Sequence, residues 1–276
     1  MAICLTNDMR IPSLHSLAEA KDTKIDFDFP PDALALPDTR TDRRGFSLTS
    51  PLVIFDLDGT LIDTAPDLID SLNYTIATAD LEPVTFNDLT HLVGQGARVM
   101  IKRAFALRNR ELPEAEIEPL YERFIAHYIE HMPGESTPYP GLTEALDRLD
   151  AAGFTLAVCT NKTTVLAIPL LEKLGLKDRF KAITCGDTFE WRKPDGRHIL
   201  GTIEKAGGDA SRSVMVGDSV NDILAAKNAN VPSIGVTFGY TDVPMAELEP
   251  SVVIDSFDAL DAALVERLLA QRAAAA

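Results

Sequence analysis

The chain has 276 residues, 46% of them apolar, which is enough to bury the core of one large domain or of a main domain with a smaller companion. Its 42 acidic and 26 basic side chains give a net charge of −16, which repels nucleic-acid phosphates and anionic membranes and excludes both as expected partners. A site for an anionic substrate would therefore need a metal or a few placed Lys and Arg residues. No run of about 18 apolar residues occurs, so we expect no membrane span and a cytoplasmic location.

The first 50 residues differ from the rest of the chain. They are rich in Asp, Pro and Thr and have no sustained apolar periodicity, so we predict a loosely ordered extension with at most a short helix from Ile11 to Ala20. The three cysteines, Cys4, Cys159 and Cys185, are widely spaced and form no CxxC pair. Cys159 and Cys185 lie in apolar runs, which favours buried, reduced thiols over disulfides or metal ligands.

After Pro51 strands and helices alternate. Short β-branched apolar runs predict six strands, at Leu52–Phe55, Thr155–Cys159, Ala182–Cys185, Ser213–Val216, Ser233–Val236 and Val252–Ile254. Helical patterns lie between most of them. This alternation predicts an α/β fold with a Rossmann-like, doubly wound parallel sheet, helices on both faces and right-handed crossovers.

One interval interrupts the alternation. From Ala65 to about Pro138 the pattern contains no strand and instead predicts helices, at Asp67–Ala79, Phe86–Leu92, Ala97–Leu107 and Glu114–His131. A helical block placed just after the first strand indicates a small all-helical cap over the sheet. We therefore divide the chain into an extension (1–50), a catalytic core (51–65 and 138–276) and a helical cap (66–137).

Polar side chains follow several of the predicted strands. Because ligands of open parallel sheets bind beyond the carboxyl ends of the strands, the loops at those ends are the candidate site. They carry Asp56 and Asp58, then Thr160, Asn161 and Lys162, then Lys193, and finally Asp218 and Asp222. Asp56 and Asp58 leave the strand on one side, and Asp218 and Asp222 share a face at a helix start.

This set of residues indicates a metal-assisted phosphate site. Crowded carboxylates repel each other unless a cation lies among them, and oxygen ligands without His or Cys favour a hard cation, with Mg²⁺ the first choice. Lys193 and the metal would neutralise a phosphate group, and Thr160 would donate a hydrogen bond to it. The expected ligand is a small anionic phosphate ester. Nothing in the sequence indicates an oligomeric state.

Four motifs in this order resemble those of the haloacid dehalogenase-like phosphatases. They are Asp56-x-Asp58-Gly59-Thr60, Thr160-Asn161, Lys193-Pro194 and Gly217-Asp218-x-x-x-Asp222, and the resemblance covers roughly residues 51–260. Each motif alone is weak, but all four at strand ends or loops form a specific signal. Within the family the details are most similar to phosphoglycolate phosphatases, through FDLDGTLIDTAPDL, the VGQGAR segment at 93–98, VCTNK and VGDSVNDILAAKNAN.

The resemblance implies a role for each motif residue. Asp56 would attack phosphorus and become an aspartyl phosphate, and Asp58 would protonate the leaving alkoxide and then activate water. Mg²⁺ would be held by Asp56, the main-chain carbonyl of Asp58, and Asp218, with Asp222 supporting these ligands. Thr160, the main-chain NH of Asn161, and Lys193 would hold the transferring phosphoryl group. The lead substrate is 2-phosphoglycolate.

The cap loop from Gly94 to Arg98 has two interpretations. It could be a plain helix–helix turn, or it could close over the site so that Gly96 and Arg98 bind substrate, with Arg98 near a substrate carboxylate. Two positions differ from the expected family pattern: Gly196 stands where proline is expected, and Glu190-Trp191-Arg192 is unusually bulky before Lys193. Trp191 is expected to pack within its loop rather than to stack on a ligand.

Three other functions compete with a phosphate-ester hydrolase. A phosphosugar mutase would keep every catalytic motif and differ in the cap. A dehalogenase would need no acid at the position of Asp58, and a non-catalytic regulatory protein would be expected to have lost a motif residue. The full motif set counts against the last two, and the cap loop counts against a mutase.

Overall fold

The computed structural model describes residues 49–89, 94, 96–241 and 243–275. The predicted extension, except for its last two residues, therefore lies outside the described residues, as do Cys4 and the predicted helix end at Leu92. Cys159 and Cys185 are both free and buried, as expected, and burial raises the pKa of each thiol to about 11.

All six predicted strands are confirmed, with ends that differ by at most one residue. The strands are β1 (Leu52–Phe55), β2 (Ile62–Asp63), β3 (Thr137–Pro138), β4 (Thr155–Cys159), β5 (Ala182–Thr184), β6 (Ser213–Gly217), β7 (Ser233–Val236) and β8 (Val252–Ile254). Six of them form one parallel sheet in the order β5-β4-β1-β6-β7-β8. The two-residue strands β2 and β3 form a separate antiparallel pair.

Strand β1 lies in the middle of the sheet and buries both of its faces. Val53 and Phe55 belong to one hydrophobic cluster and Leu52 and Ile54 to the other, in keeping with the two-residue period of a strand. All four side chains are inaccessible to solvent. Burial on both faces explains why this strand is an unbroken apolar run rather than an alternating one.

Helices cover both faces of this sheet. They are α1 (Ala65–Ile76), α2 (Phe86–Leu89), α3 (Ala97–Leu107), α4 (Glu114–His131), α5 (Leu142–Ala151), α6 (Thr164–Lys173), α7 (Gly196–Lys205), α8 (Val220–Asn228) and α9 (Ala262–Ala275). Helices α5, α6 and α9 contribute to the cluster around Phe55, and α7 and α8 contribute to the cluster around Ile54. The predicted doubly wound α/β fold is therefore confirmed.

The helical block α1–α4 comes after the first strand of the sheet, β1, with only the two-residue strand β2 between them. The chain enters it after β2 and leaves it before β3, and these strands pair Ile62 with Pro138 and Asp63 with Thr137. Helix α1 packs on α4, with Leu72, Phe124 and Tyr128 fully buried. These side chains belong to the same cluster as Phe55, so the core of the block is continuous with that of the sheet.

None of the helices in the described ranges has the length and apolar character that a membrane crossing requires.

The central position of β1 predicts a large stability cost for a cavity there. We expect Phe55→Ala to lower the free energy of unfolding by about 3–5 kcal/mol, because it removes a fully buried ring. Phe86→Ala is the matched control, since Phe86 is 58% exposed and its loss should cost less than about 0.5 kcal/mol. Urea unfolding followed by circular dichroism measures both, and equal costs for the two variants would contradict the assignment of β1 to the core.

Candidate active site

A tight turn holds Asp56 and Asp58 at the carboxyl end of β1. The Leu57 carbonyl accepts hydrogen bonds from the main-chain NH groups of Leu61 and Ile62, both at 3.0 Å, so the chain reverses within a few residues. Gly59 has a φ of 83°, and a Cβ at this position would collide with the carboxylate of Asp218. Glycine is therefore required both by the turn and by the close approach of the second carboxylate loop.

The Asp56 carboxylate lies next to a buried lysine. Lys193 Nζ lies 2.8 Å from Asp56 Oδ1, although no hydrogen bond of acceptable geometry reaches that oxygen from the described residues. Burial raises the pKa of Asp56, Lys193 lowers it in part, and Asp222 raises it further, for a pKa of about 7. The negative charge of Asp56 is thus only partly compensated by Lys193.

Lys193 is fixed by a second carboxylate. Its Nζ donates to Asp222 Oδ1 at 2.6 Å, and the other oxygen of Asp222 accepts from the main-chain NH and the hydroxyl of Ser219 at the start of α8. Burial opposes the charge of Lys193, but Asp222 and Asp56 outweigh it and raise the pKa of the lysine. Both oxygens of Asp222 are engaged by protein groups, so its direct role here is to hold Lys193. A role for Asp222 toward a metal stays a prediction.

Asp218, at the end of β6, completes the carboxylate group. Thr60 Oγ1 donates to one of its oxygens and the main-chain NH of Tyr240 to the other, both at 2.9 Å. A Cβ at Gly239 would collide with this side chain, so glycines enclose Asp218 from two loops. Burial, together with the charges of Asp222 and Asp56, raises the pKa of Asp218 to about 8.

These residues fit a hard divalent cation. Oxygen atoms of Asp56, Asp218 and Asp222 lie within 4.8 Å of one another, and all three residues are buried. Asp56 Oδ1 has no hydrogen-bond partner among the described residues, and two of the three carboxyl groups have raised pKa values, as expected when negative charges are brought together without a counter-ion. An all-oxygen donor set of this kind matches Mg²⁺ better than a softer metal.

Asp58 is held by a hydroxyl and a lysine. Its Oδ1 accepts from Thr64 Oγ1 at 2.7 Å and from Lys162 Nζ at 2.9 Å, while the side chain keeps 16% of its surface exposed to the pocket. The second oxygen, Oδ2, has no described donor and is the one available to a ligand. The structure therefore places Asp58 beside Asp56 with one oxygen anchored.

Lys162 follows β4 in the candidate loops, and the sequence leaves open whether its side chain faces the site or points to solvent at the start of a helix. In the structure this side chain is 3% exposed and its Nζ lies 4.4 Å from the centre of the Tyr128 ring. Burial opposes its charge, whereas Asp58 and Tyr128 outweigh burial and raise its pKa. The partner Tyr128 comes from α4 in the helical block, so no local pattern could have revealed this contact.

Thr160 and Asn161 follow β4, as predicted. The Thr160 hydroxyl accepts from the main-chain NH of Lys162 at 3.1 Å, which leaves its own proton free to donate to a ligand. The Asn161 amide donates to the carbonyls of Lys193 at 3.0 Å and Gly94 at 3.1 Å. Asn161 thus ties together the loop after β4, the Lys193 loop and the helical block.

A pocket of about 180 Å³ joins these residues to the helical block. Its polar floor includes Asp56, Asp58, Thr160, Asn161 and Asp218, and its roof is mainly apolar. The roof is formed by Leu68, Ala97, Val99, Met100, Tyr121 and Phe124. The sequence-predicted site residues therefore surround one cavity, except that Lys193 and Asp222 lie beneath its floor.

The two cap residues predicted to bind substrate both line this pocket. Gly96 has a φ of 86° and forms the N-terminal cap of α3. The Arg98 guanidinium donates to Glu118 at 2.6 and 3.0 Å and lies 3.5 Å from the centre of the Tyr121 ring. Arg98 is therefore already paired within the helical block, and its predicted contact with a substrate carboxylate would have to compete with Glu118.

Comparisons with known proteins agree with the motif-based resemblance. The family model for haloacid dehalogenase-like hydrolases matches residues 53–236. A phosphoglycolate phosphatase from Agrobacterium fabrum (strain C58) is 76% identical over 227 residues, which is 82% of this chain and 97% of the relative. An N-acetylmuramic acid 6-phosphate phosphatase from Pseudomonas aeruginosa is 36% identical over 221 residues, 78% of this chain and 96% of that protein.

A solved structure extends the similarity to the fold. The crystal structure of a predicted phosphoglycolate phosphatase from Haemophilus somnus 129PT superposes with a TM-score of 0.72 at 33% identity, and the match covers 75% of this chain and 95% of that one. The resemblance inferred from the four motifs is confirmed.

The raised pKa values predict how a divalent cation affects stability. In the metal-free protein the folded-state pKa values of Asp56 and Asp218 rise from 3.8 to about 7 and about 8, so the folded state holds protons that the unfolded chain has lost. Stability should therefore fall as pH rises from about 4 through about 8. Mg²⁺ needs the deprotonated carboxylates, so it should raise Tm more at about pH 8.5 than at about pH 6.

Thermal unfolding with Mg²⁺ or with EDTA measures this effect. Asp218→Asn should abolish most of the Mg²⁺-dependent rise in Tm, whereas Asp178→Asn, a change at an exposed carboxylate, should leave it unchanged. A rise in Tm that is the same in Asp218→Asn and in the unaltered protein would show that the ion binds elsewhere.

Proposed function

The chain belongs to the haloacid dehalogenase-like hydrolase family, and we propose that it is a Mg²⁺-dependent phosphatase that hydrolyses a small phosphate monoester, with 2-phosphoglycolate as first substrate. The observation that carries the proposal is the environment of Asp56. A carboxylate lies at the end of the central strand, beside a buried lysine and two further carboxylates, on the floor of a roofed pocket.

In the proposed reaction Asp56 attacks phosphorus in line with the ester oxygen and forms an aspartyl phosphate. Mg²⁺ held by Asp56, Asp218 and the Asp58 main-chain carbonyl would supply positive charge to the phosphoryl oxygens and to the nucleophile. Lys193 adds a fixed positive charge beneath the floor, and the Thr160 hydroxyl donates to a phosphoryl oxygen. This charge lets an anionic ester enter a protein with a net charge of −16.

In this proposal Asp58 is the proton-transfer residue. Its free oxygen faces the pocket, so it can protonate the departing alkoxide and then take a proton from the water that hydrolyses the aspartyl phosphate. Thr64 and Lys162 hold the other oxygen and so fix the direction of the carboxyl group. Lys162 is a positioning residue in this scheme, since it acts through Asp58.

The size of the pocket favours a small leaving group. A volume of about 180 Å³ lies below the roughly 300–1,000 Å³ of pockets that enclose drug-sized ligands. A two-carbon acid such as glycolate is better matched to this space than a substituted hexose such as N-acetylmuramic acid. The 76% identical relative is named a phosphoglycolate phosphatase, which supports the same order of preference.

Phosphate release from a panel of esters tests the proposed function. With Mg²⁺ we expect turnover of 2-phosphoglycolate well above that of N-acetylmuramic acid 6-phosphate and hexose phosphates, and none with EDTA. Asp56→Asn should lower kcat by more than about 10⁴-fold, because it removes the nucleophile. Asp178→Asn is the matched control. Release from none of these esters would refute the hydrolase assignment, and turnover that requires an added sugar bisphosphate, with isomerised product, would favour a mutase.

The contact between Lys162 and Asp58 predicts a further effect on turnover. Lys162→Met removes the buried ammonium group that anchors Asp58, so kcat for 2-phosphoglycolate should fall about 10- to 100-fold, as for the loss of other residues that orient an active-site ligand. Lys181→Met, at an exposed lysine, should have no effect. A Lys162→Met enzyme with normal kcat would show that Asp58 does not depend on this contact.

A further inference from the structure

The positive charges around the pocket are not all paired with a carboxylate of the described residues. Three basic side chains at the pocket have carboxylate partners: Lys162 binds Asp58, Lys193 binds Asp56 and Asp222, and Arg98 binds Glu118. Arg192 also lines the pocket and is exposed, but its guanidinium has no hydrogen bond or ion pair with any described residue. Among the residues that the structure describes, Arg192 is thus a cation at the pocket wall without a protein partner, and it is available to a ligand.

The residues on either side of Arg192 are fixed. The Trp191 ring stacks on Phe189, with ring centres 5.9 Å apart, and the Arg197 guanidinium lies 4.6 Å from the Trp191 ring centre. On the other side, Lys193 is anchored through its side chain to Asp56. Contacts on both sides of Arg192, through the Trp191 ring and the Lys193 side chain, therefore hold its backbone in place. The Arg192 side chain extends from this backbone to the pocket.

Arg192 lies beside the residues proposed to hold the phosphate. A Cβ built at Gly96 would lie 3.7 Å from Arg192 Nη1 and 4.0 Å from the Asn161 carbonyl oxygen, so the guanidinium, Asn161 and the cap loop meet at this point. Any side chain at Gly96 would occupy the space in front of the guanidinium. The Thr163 hydroxyl, which also lines the pocket, is buried and has no described partner, so a polar ligand would find a second donor there.

We propose that Arg192 binds a carboxylate on the leaving group of the substrate, so that the pocket selects phosphate esters of small hydroxy acids. The proposal rests on the phosphatase function above. It concerns the carboxylate end of the substrate, which the metal site does not contact. A planar guanidinium binds a carboxylate through two parallel hydrogen bonds. The roof is mainly apolar, and Lys162 and Arg98 at the pocket are already paired with Asp58 and Glu118, so without Arg192 a second negative charge on the ester would have no described partner in the pocket.

A comparison of two esters isolates this contact. The pair is 2-phosphoglycolate and ethyl phosphate, which has the same two-carbon chain but no carboxylate. In Arg192→Met we expect kcat/KM for 2-phosphoglycolate to fall about 10- to 100-fold, mostly through KM, because a charge-assisted interaction is lost. Activity toward ethyl phosphate should stay within about twofold. Arg192→Lys should restore part of the loss, and Arg110→Met, at an exposed arginine outside the pocket, should change neither ester.

Other outcomes would overturn the proposal in distinguishable ways. An equal loss toward both esters would make Arg192 a structural residue of its loop. Loss of discrimination in Arg98→Met but not in Arg192→Met would assign the carboxylate to Arg98 instead. If the unaltered enzyme hydrolyses both esters equally well, the phosphatase function stands, but the proposed selection for a carboxylate is refuted. An unaltered enzyme that hydrolyses neither would refute the phosphatase function itself.

Discussion

The structure depends most strongly on three buried carboxylates that lie together at the carboxyl ends of the sheet strands. Asp56 and Asp218 end neighbouring parallel strands, and Asp222 begins the helix that follows the second of them. Removal of each carboxylate from water disfavours its charged form, and proximity adds mutual repulsion. Lys193 lies between Asp56 and Asp222 and offsets only part of this cost, since the pKa values of Asp56 and Asp218 remain raised. The remaining compensation is what a divalent cation and a phosphate group in the pocket would provide.

The rest of the fold can be understood as support for this charge cluster. The central strand is buried on both faces, so Asp56 is held by a rigid backbone. Glycines 59 and 239 allow two loops to approach Asp218 closely. The helical block contributes an apolar roof and also the Tyr128 ring against which Lys162 packs. Residues of the sheet and of the helical block therefore act together on Asp58, although they are far apart in the sequence.

The basic residues around the pocket differ in the partners that they have within the protein. Lys162 and Lys193 are buried and form ion pairs with Asp58 and Asp56, the two aspartates of the first motif. Arg98 is paired with Glu118 in the helical block, and Arg192 is not paired with any described residue. An arginine that lines the pocket without a described partner gives this strongly acidic protein a local attraction for an anionic group, which its overall charge would repel.

Much of this arrangement could be predicted from the sequence because it depends on local patterns. The six core strands are short β-branched runs, and four motifs at strand ends or loops indicate the positions of Asp56, Asp58, Thr160, Lys193 and Asp218. Strands β2 and β3 were not predicted, because two-residue strands have no detectable period. The buried position of Lys162 and the pairing of Arg98 with Glu118 depend on contacts between distant helices, which local patterns do not encode. The sequence shows a bulky Trp191 next to Lys193, but only the structure shows that its ring packs against Phe189 while Arg192 reaches the pocket.

The central claim, that Asp56 is the nucleophile, can be tested by trapping the phosphorylated enzyme. p-Nitrophenyl phosphate has a leaving group that needs no protonation, so an Asp58→Asn variant should still form the aspartyl phosphate but hydrolyse it slowly. With Mg²⁺ we expect a burst of about one p-nitrophenolate per enzyme molecule. Reduction with borohydride should then convert residue 56 to homoserine, which peptide mass spectrometry detects. A burst with the phosphoryl group on another residue, or steady release with no labelled Asp56, would contradict the mechanism.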